Sequence, residues 1–340
     1  MPLWKPTNIE AMGDVPDTKL VCWYSSKDSR TLKLARTGEV IYWQDRSKNN
    51  NVLLGASGKR PTLTFSTTGK PQFTFDGSDD TLTTAAEPSG WDIGANNTWW
   101  MTGMSFPVAD DPKGSNAFYA VLAKNANDEA DGDDPPEPLN QMFNSSGSRT
   151  PDQWRGKFDL NQDSAEQFTT AGDITPEDDK PFLFETMRVK DNAAGDTSAD
   201  DGEVFVYFNG ADYSAGSDHS TGSLTTEEEF RVASLDGGAG AKISTLEIVV
   251  YTRGPSTSQY DTWLREELEG YIAHSMGIQN DLRIKEFHTG SDTNNHPYRF
   301  GAPTCGHSVS AQNLGTKFLS HSVTHQYELN DGLNTYCAGR

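Results

Sequence analysis

The chain has 340 residues, a formal net charge of -21 and a mean hydropathy of -0.67, with only 34% apolar residues. Such acidity excludes nucleic acid as a partner, because displacing counterions from a phosphate backbone takes a face of Lys and Arg, and it excludes an anionic membrane surface on the same ground. Eight Trp, eleven Tyr and sixteen Phe still supply large buried areas, so a core carried by aromatics inside long polar loops is expected.

No stretch approaches the length of about eighteen apolar residues that a membrane-crossing helix needs. The start, Met1 to Pro6, lacks a basic segment followed by an apolar one, so export by the general secretory route is not expected. Cys22, Cys305 and Cys337 form an odd set, which does not support a disulfide scaffold.

Short β-branched and aromatic runs bounded by polar clusters predict strands over 19–24, 38–43, 60–65 and 71–76. Pro61 and Pro71 stand at strand starts, where a missing N–H is tolerated. Asp76 to Asp80 then reads as a tight turn around Gly77. Further strands are predicted over 98–106, 117–123, 181–190, 203–209, 229–234 and 243–251. The clearest of them runs into an Asn209-Gly210 hairpin signal. Acidic, Gly-rich stretches over 125–137 and 191–202 read as surface loops.

One amphipathic helix is predicted after Pro255. Ser256 and Gln259 form a capping-box pattern, and Gly277 is a natural stop. Tyr260, Trp263, Leu264, Leu268, Tyr271 and Ile272 recur at helical spacing, while Asp261, Arg265, Glu266, Glu267 and Glu269 lie between them. His274 sits in the last turn, where a cation suits the helix dipole. From Arg283 onward the composition changes. This segment holds five of the seven His, two of the three Cys, and five Lys/Arg against four Asp/Glu. A domain over 1–282 and an extended arm or small subdomain over 283–340 are expected.

Several groups invite chemistry. Asp76, Asp79 and Asp80 offer hard oxygens to calcium, against the reading of a turn whose carboxylates close on backbone amides. Asn127, Glu129, Asp131 and Gly132 begin like a calcium loop, but Pro138 stands where its bidentate carboxylate belongs. Cys305, His307, His321, His325 and Cys337 are five potential zinc donors, without a Cys-x-x-Cys spacing. Trp91, Trp99, Trp100 and Trp154 could stack on sugar rings. Trp99 and Trp100 point to opposite faces of one strand, so one is expected in the core and the other accessible. A glycosidase would need two carboxylates flanking the sugar. The obvious strand holds only Glu247, while the consecutive Glu227, Glu228 and Glu229 read as a turn. Catalysis is not expected.

The landmarks arrive in a recognisable order: Leu3-Trp4 with Pro6, Val21-Cys22-Trp23-Tyr24 with Asp28, and Val40-Ile41-Tyr42-Trp43-Gln44-Asp45-Arg46-Ser47. Arg60-Pro61-Thr62, Phe73-Thr74-Phe75-Asp76-Gly77, Val206-Tyr207-Phe208-Asn209-Gly210 and the helix ending at Gly277-Ile278 follow. This order resembles the laminin-G/concanavalin-A-like jelly-roll domains common in tailed-phage and marine bacterial proteins, and it covers roughly residues 3–280. The resemblance implies an all-β sandwich of two antiparallel sheets closed by a C-terminal helix, with Trp23, Trp43, Asp45, Phe75, Gly77, Trp263 and Tyr271 setting the fold. Loops over 107–117 and 125–150 look enlarged beside that pattern.

The role first implied is a structural protein of a bacteriophage virion: a head decoration protein, made in the host cytoplasm, partnering other virion proteins and copies of itself through 283–340. The alternative is a tail protein that binds a receptor or a host-surface glycan, and a third is a polysaccharide-degrading enzyme. Beyond the calcium considered above, no cofactor is implied.

Overall fold

The protein is described by a computed structural model over residues 19–86, 97–107, 117–125, 138–145, 151–157, 176–177, 179–190, 202–213, 218–219, 229–234, 240–253, 258–282, 284–285 and 292–293. In chain order its strands are β1 (Lys19–Ser25), β2 (Leu32–Leu34), β3 (Val40–Gln44), β4 (Val52–Leu54), β5 (Thr62–Phe65), β6 (Pro71–Thr74) and β7 (Leu82–Thr84). They continue with β8 (Asn97–Ser105), β9 (Ala117–Asn125), β10 (Pro138–Ser145), β11 (Pro151–Lys157), β12 (Phe182–Lys190) and β13 (Gly202–Phe208). The last of the sandwich are β14 (Ala211–Asp212), β15 (Asp218–His219), β16 (Phe230–Val232) and β17 (Ser244–Arg253), followed by the helix α1 (Ser258–Met276).

Among the described residues, two antiparallel sheets stack into a sandwich. One is nine-stranded and runs β14-β13-β12-β8-β17-β6-β5, with β1 and β15 attached beside β17 and β13. The other is eight-stranded and runs β11-β10-β9-β16-β7-β4-β3-β2. The chain shuttles repeatedly between them, so the sheets cannot separate as independent units. β17 is the hub. Along its whole length it pairs with β8. Its other edge is shared, Ser244 and Thr245 going to β6 and Glu247 to Thr252 going to β1.

Period-two alternation gives each sheet two faces. Val21, Tyr24, Trp43, Phe73, Phe75, Trp100, Phe184, Val206, Phe230 and Val250 fill the space between the sheets. The opposite face of the nine-stranded sheet carries Leu20, Trp23, Trp99, Met101, Leu183 and Val249, which meet Leu268, Tyr271, Ile272 and Met276 of α1. Burial of each large side chain contributes roughly 1.5–3 kcal/mol. Gly103 of β8 makes room for the helix, because a Cβ there would lie 2.2 Å from the Met276 sulfur.

The loop after β3 staples β1 in place. Asp45 is buried and accepts from the Trp23 amide at 2.9 Å, the Ser47 amide at 2.7 Å, the Ser47 hydroxyl at 2.6 Å and the Asn51 amide at 3.1 Å. Burial raises its carboxyl above the ordinary range, against the lowering effect of those bonds. Asn49 Nδ2 adds bonds to the carbonyls of Leu20 and Val21 at 2.9 and 2.8 Å, where a register shift interrupts the pairing of β1 with β17. Side chain thus replaces strand partner at the irregularity.

The predicted strands and helix appear with ends shifted by a few residues. Two departures have physical causes. The span 125–150, expected as an enlarged loop, contains β10, which pairs with β9 along its length and with β11 on its other edge. Asn140, Gln141, Asn144 and Ser145 give β10 a polar composition that hides the alternation. The charged stripe of the helix, expected between the apolar positions, is partly inside: Arg265, Glu266 and Glu269 are buried. Ser256 and the side chain of Trp263 lie outside the described residues.

Candidate functional site: the open face of the eight-stranded sheet

The two sheets differ in what covers their outer faces. The helix covers the nine-stranded sheet over β1, β8, β12 and β17. On the eight-stranded sheet, directly paired residues project on one side, and the register places Lys33, Tyr42, Leu54, Thr83 and Arg231 in one row across β2, β3, β4, β7 and β16. Their chain neighbours Trp43, Leu53, Leu82 and Val232 are fully buried toward the core, so the row faces outward. Leu54 is 41% exposed, Lys33 is exposed, and Tyr42, Thr83 and Arg231 are half-buried.

Two residues along, Gln44 pairs with Val52 on the same face. Gln44 Nε2 donates to Asn50 Oδ1 at 3.0 Å, and Arg231 lies 3.5 Å from the Glu229 carboxylate. The result is a small apolar group of Tyr42, Leu54 and Val52 with amide, hydroxyl and cationic groups beside it. These residues escaped sequence reasoning because β4 and β7 are three residues long, too short for alternation to declare a face.

The acidic turn is built as a turn. Asp76 Oδ1 accepts from the amides of Ser78 at 2.7 Å and Asp79 at 3.3 Å, and Asp80 Oδ2 accepts from the Asp76 amide at 3.0 Å. Partial burial raises the Asp80 carboxyl to about 6, with the Asp76, Asp79 and Glu39 carboxylates adding to the rise. The donor atoms of Asp76, Asp79 and Asp80 lie within 4.8 Å of one another, which brings together the oxygens that calcium takes, while Asp76 and Asp80 already bond backbone amides. Gly77 has φ +78°, and a Cβ on it would stand 2.7 Å from the Lys242 Cβ. Gly77→Ala is therefore expected to cost about 1–3 kcal/mol from left-handed strain and crowding, read as a lowered urea midpoint. A midpoint unchanged from the parent protein would show that the turn gives way freely.

Other predicted residues fall elsewhere. Trp99 and Trp100 do point to opposite faces, but both are buried, at 4% and 0% exposure. The expectation that one is accessible fails because the second face of their strand is roofed by the helix. Trp154 lies in β11, paired with Phe143, and its side chain is outside the described residues, as are Trp91, the 127–132 segment, Cys305, His307, His321, His325 and Cys337. Beyond Leu282 the structure describes β18 (Ile284–Lys285) and β19 (Asp292–Thr293), paired with each other.

Glu247 sits under the helix. It accepts from Trp23 Nε1 at 3.1 Å, Ser25 Oγ at 2.8 Å and Ser275 Oγ. Trp23 is further covered by the Arg46 guanidinium, 3.7 Å from its ring, and by Tyr271 edge-on at 6.0 Å. Trp43, Phe75 and Trp23 are core residues. Cys22 is buried, which pushes its thiol up and away from reactivity.

No family model matches the chain and no curated protein matches it. Among solved structures it is similar to Trypanosoma rangeli sialidase, at 14% identity and a TM-score of 0.44, over 76% of this chain and 33% of that one. It is also similar to the receptor binding domain of botulinum neurotoxin D, at 10% identity and a TM-score of 0.44, over 72% and 52%. The binding domain of botulinum neurotoxin serotype G is a third, at 14% identity and a TM-score of 0.39, over 73% and 51%. The chain thus spans between a third and about half of these longer proteins.

Proposed function

We propose that this chain is a non-catalytic binding protein whose ligand is a glycan held on the open face of the eight-stranded sheet. The observation that carries this reading is the cross-strand row Lys33, Tyr42, Leu54, Thr83 and Arg231 on the face that α1 leaves uncovered. A sugar ring presents an apolar C–H face rimmed by hydroxyls. Tyr42 with Leu54 matches the first, and Gln44, Thr83, Lys33 and Arg231 match the second with donors and acceptors. A stable protein partner would want roughly 800 Å² per side with an apolar middle, and Tyr42, Leu54 and Val52 make a small centre for that.

The non-catalytic part rests on Glu247, whose oxygens are engaged with Trp23, Ser25 and Ser275 beneath the helix and not turned toward the open face. The head-decoration role draws on 283–340, of which only β18 and β19 are described, and no observation of the fold favours it over glycan binding. Among the described residues no helix is long and apolar enough to cross a membrane.

A glycan array probed with the full chain tests the proposal. Binding to a defined set of oligosaccharides is expected, weakened about tenfold or more by Tyr42→Ala, a loss of about 1.4 kcal/mol, with the urea midpoint little changed. A blank array, or a Tyr42→Ala protein that binds as the parent does, overturns the reading. Release of sugar from the bound oligosaccharide overturns its non-catalytic part.

A further inference from the structure

Charge is spread unevenly along the strands of the open face. β3 runs from the turn 35–39 to the loop 45–51. At the loop end, Arg46 Nε lies 3.4 Å from the Asp28 carboxylate, so the loop sits beside the turn 26–31 that leads from β1 into β2. These segments and β2 supply Lys27, Arg30, Lys33, Arg46 and Lys48. The acids among them are engaged. Asp28 is shared by Arg30 at 2.9 Å and by Arg46. Asp45 is buried with its four hydrogen bonds, and Glu247 is buried beneath the helix. Lys33 is exposed, stands opposite Tyr42, and has no carboxylate within ion-pair reach among the described residues.

The other end of the face is balanced. Gly55 donates to the Ile41 carbonyl and Thr81 to the Lys59 carbonyl, which gathers the starts of β3 and β7 with the end of β4. Glu39 and the clustered Asp76, Asp79 and Asp80 stand here. Arg36, Lys59 and Arg60 offset them, with Lys242 against Gly77. Between the two ends lie Tyr42, Val52 and Leu54. A surplus of positive charge therefore belongs to the loop end alone, in a chain whose net charge is -21.

We propose that the glycan on this face carries one acidic sugar, a ring with a single carboxylate, seated at the loop end beside Lys33, with neutral sugars continuing over Tyr42 and Leu54. This rests on the glycan reading above and names its class of ligand. The guanidinium groups of Arg30 and Arg46 are already turned to Asp28. What is left for a ligand at Lys33 is an ammonium, a compact point charge that a lone carboxylate can approach from several directions. A polymer charged on every sugar fits poorly. Its next carboxylates would approach Glu39 and the Asp76 turn, three residues along β3 or about 10 Å away, which is roughly one Debye length at physiological salt.

The test measures binding by the full chain to neutral gluco-oligosaccharides that end in one glucuronate. The same oligosaccharides with the carboxylate reduced to the alcohol, and their sulfated counterparts, are run beside them. The uronate form is expected to bind about fivefold more tightly than the reduced form at low salt, and the advantage should shrink in about 0.5 M NaCl. Lys33→Gln should weaken the uronate about threefold and leave the reduced form unchanged. Lys180→Gln, the same change of charge just before β12 of the other sheet, should bind both as the parent does. Equal affinity for uronate and reduced forms overturns the acidic sugar and leaves the glycan reading standing, whereas no binding to any sugar removes both. Tighter binding of the sulfated form overturns the carboxylate. A Lys33→Gln loss equal for both ligands overturns the seat at Lys33. The comparison of ligands needs only the parent protein, so it decides even where a variant is damaged.

Discussion

Glu247→Ala is expected to lower stability by about 3–5 kcal/mol, because three buried donors lose their acceptor at once and a cavity opens where the side chain stood. Glu247 ties β17 to β1 through Trp23 Nε1 and Ser25 Oγ, and to the helix through Ser275 Oγ, while Lys27 balances its charge from 3.8 Å. The two hydroxyls can rotate toward other acceptors. The indole N–H cannot turn without moving the ring, which Arg46 and Tyr271 hold. Most of the loss therefore belongs to Trp23. Glu247→Gln keeps one oxygen for the indole but turns an amide N–H toward the Ser25 and Ser275 hydroxyls, which must rotate to accept it, and is expected to recover about half. Urea denaturation measures both, as a shifted midpoint at constant slope. An alanine variant within about 0.5 kcal/mol of the parent would sink the assignment of this carboxylate as a structural tie.

Much of the sandwich was legible because its long strands alternate strongly. β8, β12, β13 and β17 carry aromatic and branched residues on both faces, since one face meets the other sheet and the other meets the helix. That same double burial leaves Trp99 no wet side, although its direction opposite to Trp100 predicts one. The short strands β4, β7 and β16 offer too few residues to show a period, so the outer face they build could not be read. The polar hairpin of β10 and β11 was missed for its composition. The helical pattern predicts solvent for the charged residues, yet Arg265 and Glu269, one turn apart, pair inside, a burial that only the placement of α1 against the sheet reveals. Asp45 is a fold-setting residue through the resemblance alone at the level of sequence. The geometry supplies its reason, three hydrogen bonds within its loop and a fourth to the Trp23 amide of β1.

Trp43→Ala should be the other large loss, about 3–5 kcal/mol. The indole is fully buried between the sheets. Its ring meets Phe73 of β6 edge-on at 4.7 Å and Tyr24 of β1 at 5.4 Å, so a strand of one sheet grips two of the other. Removing it leaves a void that stiff antiparallel ladders on both sides cannot close. Trp43→Phe separates packing from polarity. Trp43 Nε1 is buried and has no acceptor among the described residues, so phenylalanine loses contact area but also removes a desolvated N–H. Its cost is expected to be less than half that of alanine. Leu54→Ala, at a solvent-exposed position of the same sheet, should shift the urea midpoint by no more than about 0.5 kcal/mol. If Trp43→Phe proves as damaging as Trp43→Ala, the indole nitrogen is working as a donor and the packing account of this position fails.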